Sequence, residues 1–144
     1  MVRAMRILII HAKSFWWKVR QPARISLRDE VTKENAELKI ENVLVAFTAV
    51  EKSDEQKLEE SCEKAVNAIK QVANRVKVNR VVLYPYAHLS TNLSKPSTAL
   101  LALKEIYEKL KREGFEVHRS PFGYYKEFIL HCSGHPLAES LRVI

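Results

Sequence analysis

The sequence is poor in the residues that several common functional sites require. Its 144 residues include two cysteines and three glycines. Two cysteines are too few for a disulfide framework, so we expect a reducing, cytoplasmic environment. Gly114, Gly123 and Gly134 are too far apart to form a glycine-rich phosphate loop, and no Gly-x-Ser-x-Gly nucleophile motif occurs. An enzyme of this composition would act by positioning water and substrate rather than through a covalent nucleophile.

Long apolar runs are also absent. No stretch approaches the roughly 20 apolar residues of a membrane-spanning helix, so no membrane partner is expected. The first apolar run, 6–10, is short and β-branched and lacks a small-residue cleavage site, which indicates a strand rather than a signal peptide. Acidic residues are outnumbered: 24 Lys and Arg against 17 Asp and Glu give a net charge of +7. This balance allows a polyanionic partner without identifying it.

What is present is the pattern of a single α/β domain with more sheet than helix. Apolar residues make up 47% and charged residues 28% of the chain, a composition typical of one globular domain of this length. The polar segment 20–39 has little periodicity, and its role is open. Strands are predicted at Met5–His11, Ser14–Val19, Asn42–Val50, Val81–Tyr84, Phe115–His118 and Lys126–Cys132.

Two main helices and a short third one are predicted to accompany a mixed sheet. Ser53–Gln56 has the form of a capping box, and apolar residues at alternating steps of three and four continue from it to about Val76. The second helix begins near Pro96, which is tolerated in a first turn, and stops at Gly114. A last short helix is predicted from Pro136.

Two segments place ionisable side chains where strands end or begin. Tyr84–Ser90 follows a buried strand, and ligands of α/β sheets bind beyond the carboxyl ends of strands. His88 is therefore a candidate site residue, although on this spacing alone a histidine that only hydrogen-bonds its loop is the favoured interpretation. In Phe122–Phe128, Lys126 lies among aromatic residues, where its ammonium could hold an oxygen or orient a water. A lysine that extends to the surface has the same spacing.

A zinc site is the main metal alternative. His131, Cys132 and His135 lie close together, as soft ligands of a structural zinc do. A strand would, however, point His131 and Cys132 to opposite faces, and no second pair of ligands occurs elsewhere in the sequence apart from scattered histidines. The prediction is therefore a site with no metal and no cofactor.

Taken together, several segments resemble one family, the archaeal threonyl-tRNA synthetase N-terminal editing domains. The resemblance covers nearly the whole chain, and its pieces occur in the family's order and spacing. Each piece alone is weak, but several in register are hard to obtain by chance. The segments are Met5–His11, Val43–Glu51, Tyr84–Ser90, Pro121–Lys126 and Gly134–Glu139.

The resemblance implies a fold similar to D-aminoacyl-tRNA deacylases and a homodimer. It implies hydrolysis of serine wrongly attached to the acceptor end of tRNA(Thr), with threonine spared and the 2′-hydroxyl of the RNA assisting. Lys126 and His88 would orient water and ester. Glu139, in the first turns of the last helix, would accept the substrate ammonium. The remaining pocket residues implied are Val50, Pro85, Tyr86, Ala87, Phe122, Tyr124 and Tyr125.

Two alternatives come from neighbouring classes. A D-aminoacyl-tRNA deacylase typically carries a Gly-Pro dipeptide, and none of the five prolines here follows a glycine. A non-catalytic tRNA-binding module would use only the basic surface. In each case residues 1–144 would be a single domain without an aminoacylation core, so charging is expected from the rest of a synthetase or from a separate protein.

Overall fold

The apolar runs of the sequence assemble into one mixed six-stranded sheet, described for residues 4–144 by a computed structural model. The predicted α/β class with two main helices is confirmed, while residues 1–3 of the predicted domain lie outside the described residues. Within 4–144, no helix is both long and apolar enough to cross a membrane. The elements are β1 (Arg6–Pro22), α1 (Lys33–Ala36), β2 (Glu37–Ala49), α2 (Leu58–Val76), β3 (Arg80–Pro85), α3 (Pro96–Arg112), β4 (Glu116–Arg119), β5 (Tyr124–Cys132) and β6 (Glu139–Val143).

The sheet has the strand order β4-β3-β2-β1-β5, and β6 also pairs with β1. β2, β3 and β4 run parallel to one another, while β1 is antiparallel to β2, β5 and β6. At the carboxyl ends of the parallel pair, Thr48 of β2 lies opposite Pro85 of β3. The chain therefore leaves both strands at the same edge of the sheet, where ligands of such sheets bind.

The first two predicted strands are one continuous strand, so the division between them was wrong. β1 carries a register shift between Ala12 and Ser14 in its pairing with β5. An extra residue in one strand of an antiparallel pair is a β-bulge, which breaks the alternation of side chains without ending the strand. The partner changes at the same place: residues 6–10 pair with β6 and the later residues pair with β5.

The first long helix begins at Leu58 rather than at Ser53, so the predicted capping box was also wrong. A 3-10 turn, Lys52–Gln56, precedes the helix. In that turn the backbone N–H of Glu51 donates to Asp54 Oδ2 at 2.7 Å. The buried Asp54 thus provides the cap that the sequence pattern assigned to the pair Ser53 and Gln56.

The predicted C-terminal helix is absent from its place, because residues 139–143 form β6. Ala138 closes a turn by donating its N–H to His135 O at 3.0 Å, and His11 N–H donates to Ala138 O at 2.7 Å. β6 then pairs with β1 from Glu139, opposite Ile10, to Val143, opposite Arg6. A helix this short is marginal, whereas the open side of β1 supplies hydrogen-bond partners for the backbone of a strand.

The sheet has an aliphatic core on one face and an aromatic cluster on the other. α2 and α3 pack against the aliphatic face, which includes the fully buried Ile7 and Ile9 of β1. On the opposite face, the rings of the aromatic cluster lie with centroids 5.3 to 6.0 Å apart. Such contacts hold β5 against β2 and β3. The cluster comprises Phe15, Phe47, Tyr84 and Phe128.

The segment 20–39 is only partly irregular, since its ends belong to β1 and β2. Its C-terminal part is tied down by Asn35, whose carbonyl accepts a hydrogen bond from Trp17 Nε1 at 2.9 Å. The side chain of Asn35 accepts from the Thr32 N–H at 2.7 Å and donates to Glu30 O at 3.0 Å. Residues 23–32 are left without strand or helix.

Candidate functional site

A cavity of about 280 Å³ opens where the carboxyl ends of β2 and β3 face the start of β5. Most of its lining is apolar, with a few polar groups, the usual composition of a small-molecule site. The end of β2 contributes residues 48–50, the end of β3 contributes 85–87, and the turn into β5 contributes 122–124 and Lys126. The remaining lining residues are Ala23, Ile25, Leu93, Ser94, Pro96, Ala99 and Leu103.

Seven of the ten site residues suggested by the sequence line this one cavity. They come from three separate stretches of the chain, which the parallel pairing of β2 with β3 and the aromatic cluster under β5 bring together. Because consecutive strand residues point to opposite faces, Tyr124 and Lys126 share a face and Tyr125 does not. The seven are Val50, Pro85, Tyr86, Ala87, Phe122, Tyr124 and Lys126.

The other three suggested residues do not line the cavity. His88 is exposed on the 3-10 turn Ala87–Leu89, with its ring centroid 5.3 Å from that of Tyr86. Tyr125 is 54% exposed. Glu139 is exposed on β6, and its predicted position in a helix was wrong. His88 directly follows the lining residue Ala87, so it lies at the rim.

Lys126 is the one basic side chain in the cavity lining, and its ammonium is held by three contacts. Nζ donates to Ser120 Oγ at 2.5 Å and to Pro121 O at 2.6 Å. It also lies 4.4 Å from the centroid of the Tyr84 ring, a cation–π contact. Nearly all its donor capacity is thus directed to the wall, and Lys126 does not extend into solvent.

The surroundings of Lys126 alter its protonation. Burial lowers the pKa of the ammonium to about 7, an effect that the carboxylate of Asp29 opposes and the guanidinium of Arg119 reinforces. Burial also raises the pKa of the neighbouring Tyr84 hydroxyl. A lysine that changes charge near neutral pH can hold an oxygen in one state and accept a proton in the other.

Comparison with known proteins identifies the family of this chain. Residues 5–144 match the family described as the archaea-specific editing domain of threonyl-tRNA synthetase. The chain belongs to this family. The resemblance seen in the sequence is thereby confirmed.

Similar chains are found in proteins named threonine–tRNA ligase. The protein from Staphylothermus marinus is 50% identical over 141 residues, and that from Thermococcus onnurineus is 49% identical over 140. The protein from Methanocaldococcus jannaschii is 44% identical over 140 residues. Each match covers 97% of this chain but 22% of the relative, so the chain spans about a fifth of the length of these proteins.

In this editing domain, a network of hydrogen bonds holds the turn Ala87–Leu89, at the rim of the cavity, against β2. The Tyr86 N–H donates to Thr48 O at 2.8 Å. Ser90 Oγ donates to Glu51 Oε2 at 2.5 Å, and Glu51 is buried. Arg6 reaches the same turn, donating to Leu89 O at 3.3 Å, and its Nε lies 3.5 Å from Glu51 Oε2. The backbone around His88 is thus positioned by side chains from β1 and from the end of β2.

The sequence offered few signals for the lining residues that it missed. Thr48 and Ala49 lie near the carboxyl end of the apolar run that predicts β2. Because ligands bind beyond the carboxyl ends of strands, these two residues could have been included. Ser94 precedes α3, and Leu103 lies within it, where the apolar periodicity shows burial but no cavity. Asp29, whose contacts reach the wall, lies in a segment without periodicity.

One residue of the zinc alternative, His135, has other partners. The Leu137 N–H donates to His135 Nδ1 at 3.1 Å, so His135 carries its proton on Nε2. That nitrogen donates to His11 Nδ1 at 2.7 Å, and His11 Nε2 in turn donates to Asn42 Oδ1 at 2.8 Å. Across residues 4–144, no three His, Cys, Asp or Glu side chains converge as ligands would.

Proposed function

We propose that this domain hydrolyses the ester between serine and the 3′-terminal adenosine of tRNA(Thr) and leaves the threonyl ester intact. The observation that carries the proposal is Lys126, held in an apolar cavity at the strand ends of a chain that belongs to an editing-domain family. A cavity with fixed walls suits discrimination by size. One methyl group changes binding by about 1–3 kcal/mol, so a synthetic site that accepts threonine admits some serine.

The reaction needs little from the protein beyond positioning. Water attacks the ester carbonyl carbon, the bond to the ribose oxygen breaks, and that oxygen takes a proton, so free serine and a free 3′-hydroxyl result. The adjacent 2′-hydroxyl of the RNA assists proton transfer, and no cofactor takes part. Lys126 holds the developing oxyanion or orients the water, and His88 orients the ester at the rim.

Wall shape would decide which amino acid enters. Ala87 and Pro85 are small or fixed groups at the end of β3, and Val50 faces them from the end of β2. We propose that these residues exclude the extra methyl group of threonine. Tyr86, Phe122 and Tyr124 contribute flat surfaces on which adenosine can lie.

Two of the proposed residues would act from outside the cavity. Tyr125 and Glu139 are exposed and lie outside the cavity lining. We retain the proposal that Glu139 accepts the substrate ammonium, with Tyr125 as a further contact of the bound RNA. Substitution of Glu139 by Gln tests it, because loss of the carboxylate should raise KM for seryl-tRNA while kcat changes less.

The decisive experiment measures deacylation by Lys126→Met and His88→Ala variants. The parent domain should cleave seryl-tRNA(Thr) and spare threonyl-tRNA(Thr), and each variant should lose about 10-fold or more of the domain-dependent rate. Lys64→Met and His131→Ala serve as matched controls, since both side chains are exposed away from the cavity lining. Parent rates in both site variants would refute the assignment.

The same assay separates the alternatives. D-aminoacyl-tRNA and seryl-tRNA are offered in parallel to the parent domain. Cleavage of the D-ester alone would identify a D-aminoacyl-tRNA deacylase. A shift of tRNA in a gel without cleavage of any ester would identify a binding module that relies on the net charge of +7.

We also propose that the domain forms a homodimer through its outer strands. Leu141, 56% exposed, and Val143 project from the same face of β6, and Ile129 of β5 is 64% exposed. A dimer formed through these strands would cover such exposed apolar side chains. Sedimentation velocity should give a dimer for the parent and a monomer for Leu141→Glu. Leu101→Glu is the matched control, because Leu101 is also 56% exposed but lies on α3; a monomeric parent would contradict the proposal.

Charging of tRNA is proposed to lie outside this domain. The chain covers 22% of relatives named threonine–tRNA ligase, and the cavity described here holds no phosphate-binding loop. The charging partner would be the rest of a synthetase or a separate protein, and a cytoplasmic location stays a prediction.

A further inference from the structure

The segment 23–32, which has no regular structure, is hydrogen-bonded to residues 122–124. These residues form the wall of the cavity next to Lys126. The carboxylate of Asp29 is 8% exposed and accepts two hydrogen bonds from the Arg119 guanidinium, at 2.6 and 2.9 Å. Its Oδ2 also accepts from the Phe122 N–H at 2.7 Å. One side chain thus joins the end of β4 to the first residue of the cavity wall.

The backbone of Asp29 adds two further bonds to the same wall. Its N–H donates to Phe122 O at 3.0 Å, and its carbonyl accepts from the Tyr124 hydroxyl at 2.8 Å. Both Phe122 and Tyr124 line the cavity. Asp29 therefore contacts the wall on both sides of Gly123 with side chain and backbone together.

The fit at Gly123 leaves no room for this segment to move closer to the wall. A Cβ at Gly123 would lie 2.5 Å from Arg28 Cγ and 2.9 Å from Leu27 O. The Ala23 N–H donates to Gly123 O at 2.9 Å, which closes the contact from the other end of the segment. The loop and the wall are packed backbone to backbone, so a change at Asp29 is transmitted to the wall.

The charged and aromatic groups that face Lys126 come from three parts of the chain. Asp29 lies on the segment, Arg119 ends β4 and the Tyr84 ring lies beneath on β3; Lys104 of α3 acts on Asp29 in turn. Burial alone would raise the pKa of Asp29, but the hydrogen bonds from Arg119 and from Phe122 outweigh it and lower the pKa. The carboxylate is therefore ionised at neutral pH and stabilises the ammonium of Lys126.

We propose that Asp29 is a positioning residue of the editing site: with Arg119 it holds in place the Phe122–Tyr124 wall and the stretch Ser120–Pro121 that binds the ammonium of Lys126. This inference rests on the proposed function for its consequence in deacylation, but its physical content does not. The bonds of Asp29 exist in the free domain, and the protonation of Lys126 can be followed without any substrate. Asp29 itself touches no cavity space.

The first test is a titration of Lys126 by NMR of 13C-labelled lysine side chains, with the resonance assigned by its loss in Lys126→Met. Asp29→Asn should lower the midpoint by about one pH unit, and Arg119→Gln should raise it by a similar amount. The opposite directions are diagnostic. Loss of a merely structural contact would shift the Lys126 midpoint in the same direction in both variants, or in neither. Glu113→Gln, which removes an ion pair with Lys70 of 3.1 Å elsewhere, should leave the midpoint unchanged.

The second test separates wall placement from charge. Asn at position 29 keeps an oxygen that can accept from the Phe122 N–H, whereas Ala does not. Asp29→Ala should therefore raise KM for seryl-tRNA by about 10-fold or more, and Asp29→Asn should recover most of that loss while its pH profile moves to lower pH. Circular dichroism checks folding; should Asp29→Asn unfold, the Arg119→Gln midpoint decides alone.

The outcomes are distinct from those of the proposed function. A domain that cleaves no ester would refute the editing proposal, yet the midpoints of Lys126 would still support or refute the coupling. Unchanged midpoints in both Asp29→Asn and Arg119→Gln would overturn the inference, even in a domain that deacylates seryl-tRNA.

Discussion

Gly123 shows at the residue scale how one position shapes the cavity. Its φ is +91°, in the region that favours glycine, and its backbone approaches Arg28 and Leu27 too closely for any side chain. Gly114 has a similar φ of +95° but nothing within 4 Å of its missing Cβ. Both positions therefore need the positive φ that glycine adopts easily. Only at Gly123 would an added side chain also collide with its neighbours.

Alanine substitution should distinguish these two requirements. Gly114→Ala should lower the free energy of unfolding by about 1–2 kcal/mol through backbone strain alone. Gly123→Ala should lose about 1–3 kcal/mol more, because segment 23–32 must move away from the wall. Denaturant unfolding of both variants measures the difference. Equal losses would mean that the segment yields freely, which contradicts the packing described.

At the scale of elements, α3 shows why burial rather than residue type sets the stability contribution. Leu110 is fully buried between α2 and the sheet, while Leu101 of the same helix is 56% exposed. We expect Leu110→Ala to cost about 2–5 kcal/mol and Leu101→Ala to stay within about 0.5 kcal/mol. Chemical denaturation tests this, and the change in helix propensity is the same in both variants. Similar losses at the two positions would mean that α3 is not packed as described.

Strands show how far local patterns predict elements. The apolar runs of β2 and β3 and the helix start at Pro96 follow from the sequence, because burial on both faces and a proline in the first turn leave clear patterns. β6 does not follow from its own residues. Its strand conformation depends on the unpaired side of β1, a partner more than 120 residues away in the chain.

For the whole molecule, burial of Lys126 makes stability depend on pH. Folding lowers the pKa of its ammonium from 10.5 to about 7, so between these values the unfolded chain holds a proton that the folded chain has lost. The contribution of Lys126 to the free energy of unfolding therefore rises with pH across that window. Below pH 7 the buried charge is a constant cost.

Lys126→Met should remove this dependence. The quantity to compare is the free energy of unfolding of the variant minus that of the parent. This difference should be more positive at pH 6 than at pH 10, by up to a few kcal/mol. The hydrogen bonds lost to Ser120 and Pro121 lower both values and leave the difference. Lys64→Met is the control, because its side chain is exposed and should show no such dependence. An identical offset from the parent at both pH values would show that Lys126 keeps its ordinary pKa.

The sequence by itself determined the α/β class, the two long helices and the family, and it pointed to seven residues of one cavity. These follow from periodicity, strand-end segments and short motifs, which are properties of neighbouring residues. Only the tertiary structure decided that Asp29 reaches Phe122 and Arg119, some 90 residues away, and that Glu139 lies on a strand instead of a helix. Irregular segments carry no periodicity, so their partners are set by packing and by the hydrogen bonds that buried polar groups must find.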